Sequence, residues 1–388
     1  MNGAASQSWR AHLREIARDP ALFLWCVFLL LSPLYVVASG LPQPGDWLVL
    51  LLAPAALLRW NGKLDRSTSR AVKALLLFTL WVCIVNYGWA AILWHWTELF
   101  DFILPPVFYL FNVAVFLSAI VISRRDPERF LRITVDVVYL TIIACVVSSL
   151  SSSEGRLTVF FNGPNQLGYY ALLSACLFAM VQRPLGISRL KASVGVTACA
   201  YLALMSASRA SLAGILVLLV VLLFSNPKMI IVGVLASIGM VTIAGGPIGR
   251  ALEFNEKRAI ENRDPTESFA EERGYDRIWR HPQHLVFGAG EGANERFARP
   301  GRHLRELHSS FGSVVFSYGI VGVALFLLFL ARVVRGASKR ATLLLVPVLV
   351  YTVAHQGLRF TSFWVLLVAF AVLKNFIELQ RDRALAQT

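Results

Sequence analysis

Charge is what this chain has little of. Only 15% of its 388 residues are Asp, Glu, Lys or Arg, against about 25% in soluble domains. Hydrophobic residues make up 56%, and the mean hydropathy is +0.61. That balance excludes a soluble globular protein. Cysteine is scarce as well. Cys26, Cys83, Cys145, Cys176 and Cys199 all lie inside apolar blocks, without the spacing of a metal site or a disulfide framework. A cleavable leader is also missing: the first apolar block, 21–39, follows a basic start and has no clear small-residue cleavage site. It is expected to stay as a signal anchor. There is no internal repeat and no low-complexity tract.

What the chain does have is apolar blocks of about 17 to 25 residues, the length that crosses a bilayer core roughly 30 Å thick. These predict an all-α polytopic membrane protein with twelve spans, near 21–39, 46–60, 71–90, 103–123, 130–150, 166–182, 190–206, 209–225, 228–246, 308–331, 341–356 and 360–378. The formal net charge is +14, which on a soluble chain would point to nucleic acid. Here the basic residues sit in alternate short connections: Arg10, Arg14 and Arg18; Arg59, Lys63, Arg66, Arg70 and Lys73; Arg124, Arg125, Arg129 and Arg132; Arg183, Arg189 and Lys191; Arg332, Arg335, Lys339 and Arg340. Such alternation orients membrane helices and places both termini in the cytoplasm.

On that parity five connections face outward. They are "GWAAILWHWTELFD", suited to a membrane-surface aromatic belt; "SSSEGRLTVFFNGPNQLG"; "SASRA"; "HQGLRF"; and one large loop, 247–307, between the ninth and tenth spans. The chain reads as a single membrane domain, 1–388, with that loop as its one sizeable soluble element. Basic and acidic residues balance within the loop. Its stretch "DPTESFAEERGYDRIWRHPQHL" opens on an Asp-Pro breaker and reads as an amphipathic helix with Phe269, Tyr275, Ile278 and Trp279 on its apolar side.

Several polar residues stand out. "FGAGEG" (287–292) lacks the Lys-Ser/Thr of a nucleotide loop and follows no strand, so it is expected to be a flexible turn that lets backbone approach a ligand. His281 and His284 have Pro282 between them and no carboxylate cluster to complete a metal shell. Arg209 follows Ser206 and Ser208 and opens a span, where it either snorkels or, with the helix N-terminus, forms a phosphate site. Arg277 reads most simply as a surface ion-pair partner of Glu272 or Asp276. Asn165 reads as a turn or cap residue. Asp136, alone in the fifth apolar block, calls for a structural partner. His308 begins the tenth span at its outer end, where the helix dipole favours neutral imidazole, the form that a general base needs. Gly312 and Gly319 lie on one stripe of that span and are expected to let another helix pack closely.

The segments "FFNGPNQLG", "SASRASLAG", "RGYDRIW", "LVFGAGEG" and "ELHSSFGSVVFSYGIVG", with the large loop between the ninth and tenth spans, resemble the O-antigen ligase and polysaccharide polymerase superfamily of bacterial inner-membrane enzymes. The resemblance covers most of residues 150–330. It implies a GT-C-like glycosyltransferase, metal-independent and inverting, without a cofactor, that takes glycan from undecaprenyl diphosphate at the periplasmic face. It further implies that Arg209 and a loop arginine bind the diphosphate, the latter best matched by Arg277 with Arg273 and Arg280 competing. His308 would activate the acceptor hydroxyl, with Asn165, Glu291 and Glu306 in supporting places. A ligase, joining glycan to a lipid A–core acceptor, is favoured over a polymerase because one outer loop dominates. A lipid-glycan flippase is the reading from another class; the inverted repeats and broken helices usual in transporters are not evident in the sequence.

Overall fold

A computed structural model describes residues 16, 18–38, 40–93, 96–152, 154–261, 268–297 and 307–385. Glu306 and the expected loop segments 262–267 and 298–306 lie outside the described residues. Among the described residues every regular element is helical, and six helices are long and apolar enough to cross a membrane.

The chain starts with α1, Pro20–Leu31, capped by the Asp19 carboxylate, which accepts from the Leu22 amide at 2.9 Å. This helix is shorter than the expected first span. Pro33 has no N–H to donate to Leu29 O, which accepts from the Ser32 hydroxyl instead at 2.9 Å, and beyond it the chain is pinned by the Gln43 side chain. Its amide oxygen accepts from the backbone N–H of Val36 and Val37 at 3.0 and 3.1 Å. Then come α2, Pro44–Trp47, and α3, Val49–Leu57. The long pair α4, Arg66–Leu93, and α5, Trp96–Ser123, is followed by α6, Pro127–Leu150; α7, Pro164–Val181; α8, Arg189–Met205; and α9, Arg209–Ser225.

α7 is the axis of the bundle: every residue of it from Leu167 to Val181 is buried. α16, Thr361–Leu385, is likewise buried from Phe363 to Lys374. The isolated carboxylate of Asp136 on α6 meets the Lys191 ammonium of α8 at 2.6 Å, which supplies its structural partner.

α10, Pro227–Glu261, lies at the periphery and exposes Ile231, Leu235, Ile238 and Ile243. It bends at Ala244 (φ −117°, ψ 23°), close before Pro247, whose ring clashes with the preceding turn and whose nitrogen cannot donate. The helix nevertheless continues well past the expected start of the loop at 247. The amphipathic helix expected over 264–285 is also different. It is two short pieces, α11, Phe269–Glu272, and α12, Asp276–Arg280, with a turn at Arg273 and Gly274 between them. Of its expected apolar members, Ile278 packs against Phe316 and Leu307, whereas Phe269 and Trp279 are exposed.

The tenth span, α13, Ser310–Val334, is interrupted. Gly319 has φ 64° and ψ −170°, so the helix stops at Tyr318 and starts again. The break frees backbone groups, and each finds a partner. Ala289 N–H donates to Phe316 O (2.9 Å), Gly290 N–H to Ser317 O (2.9 Å) and Ile320 N–H to Leu285 O (2.8 Å), while the Trp81 indole donates to Tyr318 O (2.8 Å). Gly319 and Gly312 therefore do not accommodate a neighbouring span. A Cβ on Gly319 would stand 2.3 Å from Val286 O, and one on Gly312 would meet Leu307 and Tyr275. Two more pieces, α14, Lys339–Leu343, and α15, Val346–Ala354, precede α16.

The loop contact gives a stability prediction. Gly288 has φ +96°, and a Cβ there would lie 2.2 Å from Ser317 O. Gly288→Ala is expected to cost about 2 kcal/mol or more through strained backbone and steric overlap. Gly88→Ala, in open space on α4, should be neutral or stabilising by up to about 1 kcal/mol. Melting temperatures in detergent decide, and equal values for the two variants would contradict the described docking.

Candidate functional site

The loop 285–292 lies across the break in α13, and the site is built around it. The turn expected to admit a ligand instead admits protein backbone, since Gly288 abuts Ser317 and Gly292 abuts Asp101. At its end is Glu291, which is 5% exposed. Its Oε1 accepts two hydrogen bonds from the Arg359 guanidinium, at 2.9 and 2.6 Å, and one from Gln356 Nε2 at 3.3 Å. Its Oε2 accepts from the Tyr318 hydroxyl at 2.6 Å. Asn86 of α4 grips the Glu291 backbone, accepting from its N–H (3.2 Å) and donating to its carbonyl (2.9 Å). A carboxylate so fully engaged anchors the loop and has little capacity left to act as a base.

A cleft opens beside this anchor, lined by Arg277, Glu291, Asn294, Ser313, Gln356 and Arg359. Its free volume is about 20 Å³, enough for roughly one water. Arg277 reaches it from α12 by donating to Asn294 Oδ1 at 2.8 Å. Arg273 and Arg280 differ in surroundings. Arg280 lies near Asp276 at 3.6 Å. Arg273 pairs with Glu272 at 3.3 Å and buries an Nε that has no hydrogen-bond acceptor among the described residues. The three arginines competing for one role are thus placed differently, and Arg277 is the one that lines the cleft.

His308 is exposed and sits just ahead of α13, whose cap is Ser309; the Ser309 hydroxyl accepts from the Gly312 amide. The His308 backbone N–H donates to Arg273 O at 3.1 Å, which ties the histidine to the start of the arginine segment. The Tyr275 hydroxyl closes this corner, 2.6 Å from Ser309 Oγ and 2.7 Å from Val353 O.

Arg209 is exposed at the first position of α9. A series of contacts leads from Ser206, just ahead of Arg209, to Ser310, just after His308. Arg156 donates to Ser206 O (3.3 Å) and to Asn165 Oδ1 (3.4 Å). Tyr351 donates to Asn165 O (3.3 Å) and stacks on His355 at 5.2 Å, and His355 O accepts from Ser310 N–H at 3.1 Å. Asn165 is therefore a junction within the first turn of α7, whose N-cap is Gly163, rather than the turn or cap residue expected. Glu306, the remaining expected residue, lies outside the described residues.

Four participants escaped the sequence reading: Arg359, Gln356, Tyr318 and Arg296. Arg359 carried a signal, being a basic residue in a short connection on the side where few are placed. Arg296 clasps the loop, donating to Ala289 O at 2.8 Å with its guanidinium over the Phe102 and Phe297 rings at 4.6 and 4.8 Å. His281 and His284 pack on Phe297 and Phe316. Burial, with the Arg296 charge and His281, holds the His284 imidazole below its ordinary pKa. Among the described residues no three His, Cys, Asp or Glu side chains come together as a metal site.

The anchor is testable by a double-mutant cycle. Glu291→Gln leaves Arg359 facing a neutral amide and is expected to cost about 3 kcal/mol of stability. Glu291→Gln combined with Arg359→Gln should cost clearly less than the sum of the single changes, because the two groups share one interaction. Strict additivity in chemical unfolding would mean that the pair is not coupled.

No protein-family model matches this chain, and a search of curated proteins finds no match.

Proposed function

We propose that this chain is a membrane glycosyltransferase of the O-antigen ligase type. In this reading it has twelve spans with both termini cytoplasmic, and it moves glycan from undecaprenyl diphosphate onto a lipid A–core acceptor at the periplasmic face of the bacterial inner membrane. The observation that carries the proposal is the convergence of distant segments on one end of the bundle. The loop holding Arg273 and Arg277 bonds the backbone of His308 and spans the break in α13. Segments around Asn165, Ser206 and His355 join the same network.

The chemistry asked of this arrangement is simple. His308 takes the proton of the acceptor hydroxyl, whose oxygen then attacks the anomeric carbon as the bond to the diphosphate oxygen breaks. The departing diphosphate keeps the electron pair. Charge grows on it in the transition state, so guanidinium groups of Arg209 and Arg277 stabilise that state more than the ground state. Attack from the face opposite the diphosphate inverts the anomeric centre. The donor brings its own activation, so the scheme needs no cofactor and no metal. The cleft holds about one water, so the donor diphosphate has to be bound outside it, and this reading gives that task to the exposed side chain of Arg209, with the exposed His308 beside the acceptor.

One observation favours a second reading, lipid-glycan transport without bond making. Discontinuous helices are common in transporters, and contrary to the sequence expectation α13 is discontinuous. Yet the groups freed at Gly319 bond to the loop and Trp81 rather than being left to face a transported solute, which weighs toward the enzyme.

The deciding experiment mixes purified protein with undecaprenyl diphosphate-linked glycan and lipid A–core. Joined product supports the ligase, extension of the lipid-linked glycan supports a polymerase, and neither product supports transport. His308→Ala should lower turnover per folded molecule roughly 10²–10⁴-fold with donor binding retained. Arg277→Lys and Arg209→Lys should weaken binding as well, since an ammonium lacks the planar fork for phosphate oxygens. Near-normal turnover in folded His308→Ala rules out the base role. Sidedness is read separately: a cysteine replacing exposed Trp279 should react with a membrane-impermeant thiol reagent from the periplasm, and one replacing Lys339 should not.

A further inference from the structure

At the other end of α13 from the cleft is a larger cavity, about 320 Å³ in volume. Arg66 and Arg70 enter it from the first turns of α4, Arg332 and Arg335 from the end of α13, and Lys374 and Glu378 from α16. Ser313 of the cleft lies in the upper piece of α13, and the lower piece from Ile320 to Arg332 of this cavity is by itself roughly 18 Å long at 1.5 Å per residue. The two sites are therefore separate.

This cavity is a constructed feature. Lys374 is 6% exposed, and its ammonium is held by Ser67 Oγ in the first turn of α4. The turn after α13 passes against it: a Cβ on Gly336 would lie 3.2 Å from Lys374 Cε. Asn375 of α16 bonds both Asp65 (3.3 Å) and Thr68 (3.1 Å), which fixes α16 against the start of α4. Five basic side chains thus share one cavity with a single carboxylate, that of the exposed Glu378. No hydrogen bond or ion pair to the side chains of Arg66, Arg70, Arg332 or Arg335 is formed among the described residues.

Like charges converging at the edge of a low-dielectric bundle repel, and an anion among them relieves that repulsion. Orientation of the chain in the membrane requires basic residues in the connections. It does not require them to face one cavity or a lysine to be buried there. α4, α13 and α16 are three of the six long apolar helices, and the cavity lies where α4 begins and α13 ends, beside the later part of α16; for helices that cross a bilayer, that is the level of the headgroups. We infer that this cavity binds a phosphate group, carried by an anionic lipid headgroup or by soluble phosphate. Guanidinium forks grip phosphate oxygens in pairs, and the buried ammonium adds a point charge. This site is independent of the glycosyl-transfer reading and stands or falls separately from it.

The test uses the full chain purified in neutral detergent. Phosphatidylglycerol, phosphatidylcholine and inorganic phosphate are titrated in turn, with bound lipid counted by native mass spectrometry and melting temperature followed in parallel. Phosphatidylglycerol should bind and raise the melting temperature, and phosphatidylcholine should not. Arg70→Gln with Arg335→Gln should weaken phosphatidylglycerol binding about tenfold or more. Arg381→Gln with Arg383→Gln, which removes equal charge from the exposed end of α16, should leave it unchanged. If the first pair misfolds, Arg66→Gln alone gives the same reading at an exposed position. Stabilisation by millimolar inorganic phosphate, lost in the same variants, identifies soluble phosphate as the ligand; stabilisation by lipid alone identifies the headgroup. Equal loss in both double variants, or no response to any probe, overturns the inference.

Discussion

The cleft end of this molecule depends on backbone hydrogen-bonding groups that cannot be left bare in an apolar bundle. Stopping α13 at Tyr318 leaves the carbonyls of Phe316, Ser317 and Tyr318 without their helical donors, and an unpaired buried carbonyl is costly. The loop 285–290 and the Trp81 indole supply the missing partners. This requirement sets where the loop lies. Loop position in turn sets where Glu291 is buried, and Glu291 fixes Arg359, Gln356 and Tyr318. Arg277 and His308 take their places at the margin of that arrangement, on segments bonded to it.

Electrostatics divides the molecule in a similar way. In and around the cleft three cations have carboxylate partners: Arg359 pairs with Glu291, Arg280 with Asp276 and Arg273 with Glu272. Between α6 and α8, the partly exposed Asp136 and Lys191 neutralise each other. The cluster of Arg66, Arg70, Arg332, Arg335 and Lys374 is different, because one exposed carboxylate faces it. Part of the net charge of +14 is thus gathered in this one cluster.

Much of the helical layout was legible because bilayer length and apolar run length are the same constraint. α4, α5, α6, α13 and α16 fall on expected spans. The boundaries that failed did so for local reasons: Pro33 ended α1 early, and Pro247 bent α10 without ending it. The break at Gly319 was not legible. A glycine seven residues from Gly312 looks the same whether it admits a neighbouring helix or takes up a positive φ, and only the position of residues 286–288 distinguishes the two. For the site, His308 and Arg277 were visible as polar residues at the margins of apolar blocks. Arg359 and Gln356 were within a quoted connection, but their link to Glu291 spans more than sixty residues of sequence, a separation that no local pattern encodes. Asn86 was hidden for the opposite reason. It lies inside an apolar block, and its task is to hold backbone rather than to present chemistry.

The way the break in α13 is bridged has a mechanical consequence. An interrupted helix is ordinarily a joint, with two rigid rods free to swing about the residue between them. Here the same strap is fastened on both sides of the gap, to Phe316 and Ser317 above it and to Ile320 below it. A strap fixed across a gap acts as a splint. Gly319 therefore sets an angle that the strap holds, and swinging the upper rod would require the strap to release one side, either the two bonds to Phe316 and Ser317 or the one to Ile320. The upper piece, with His308 just ahead of it, is thereby held to the lower through the loop as well as through the chain itself.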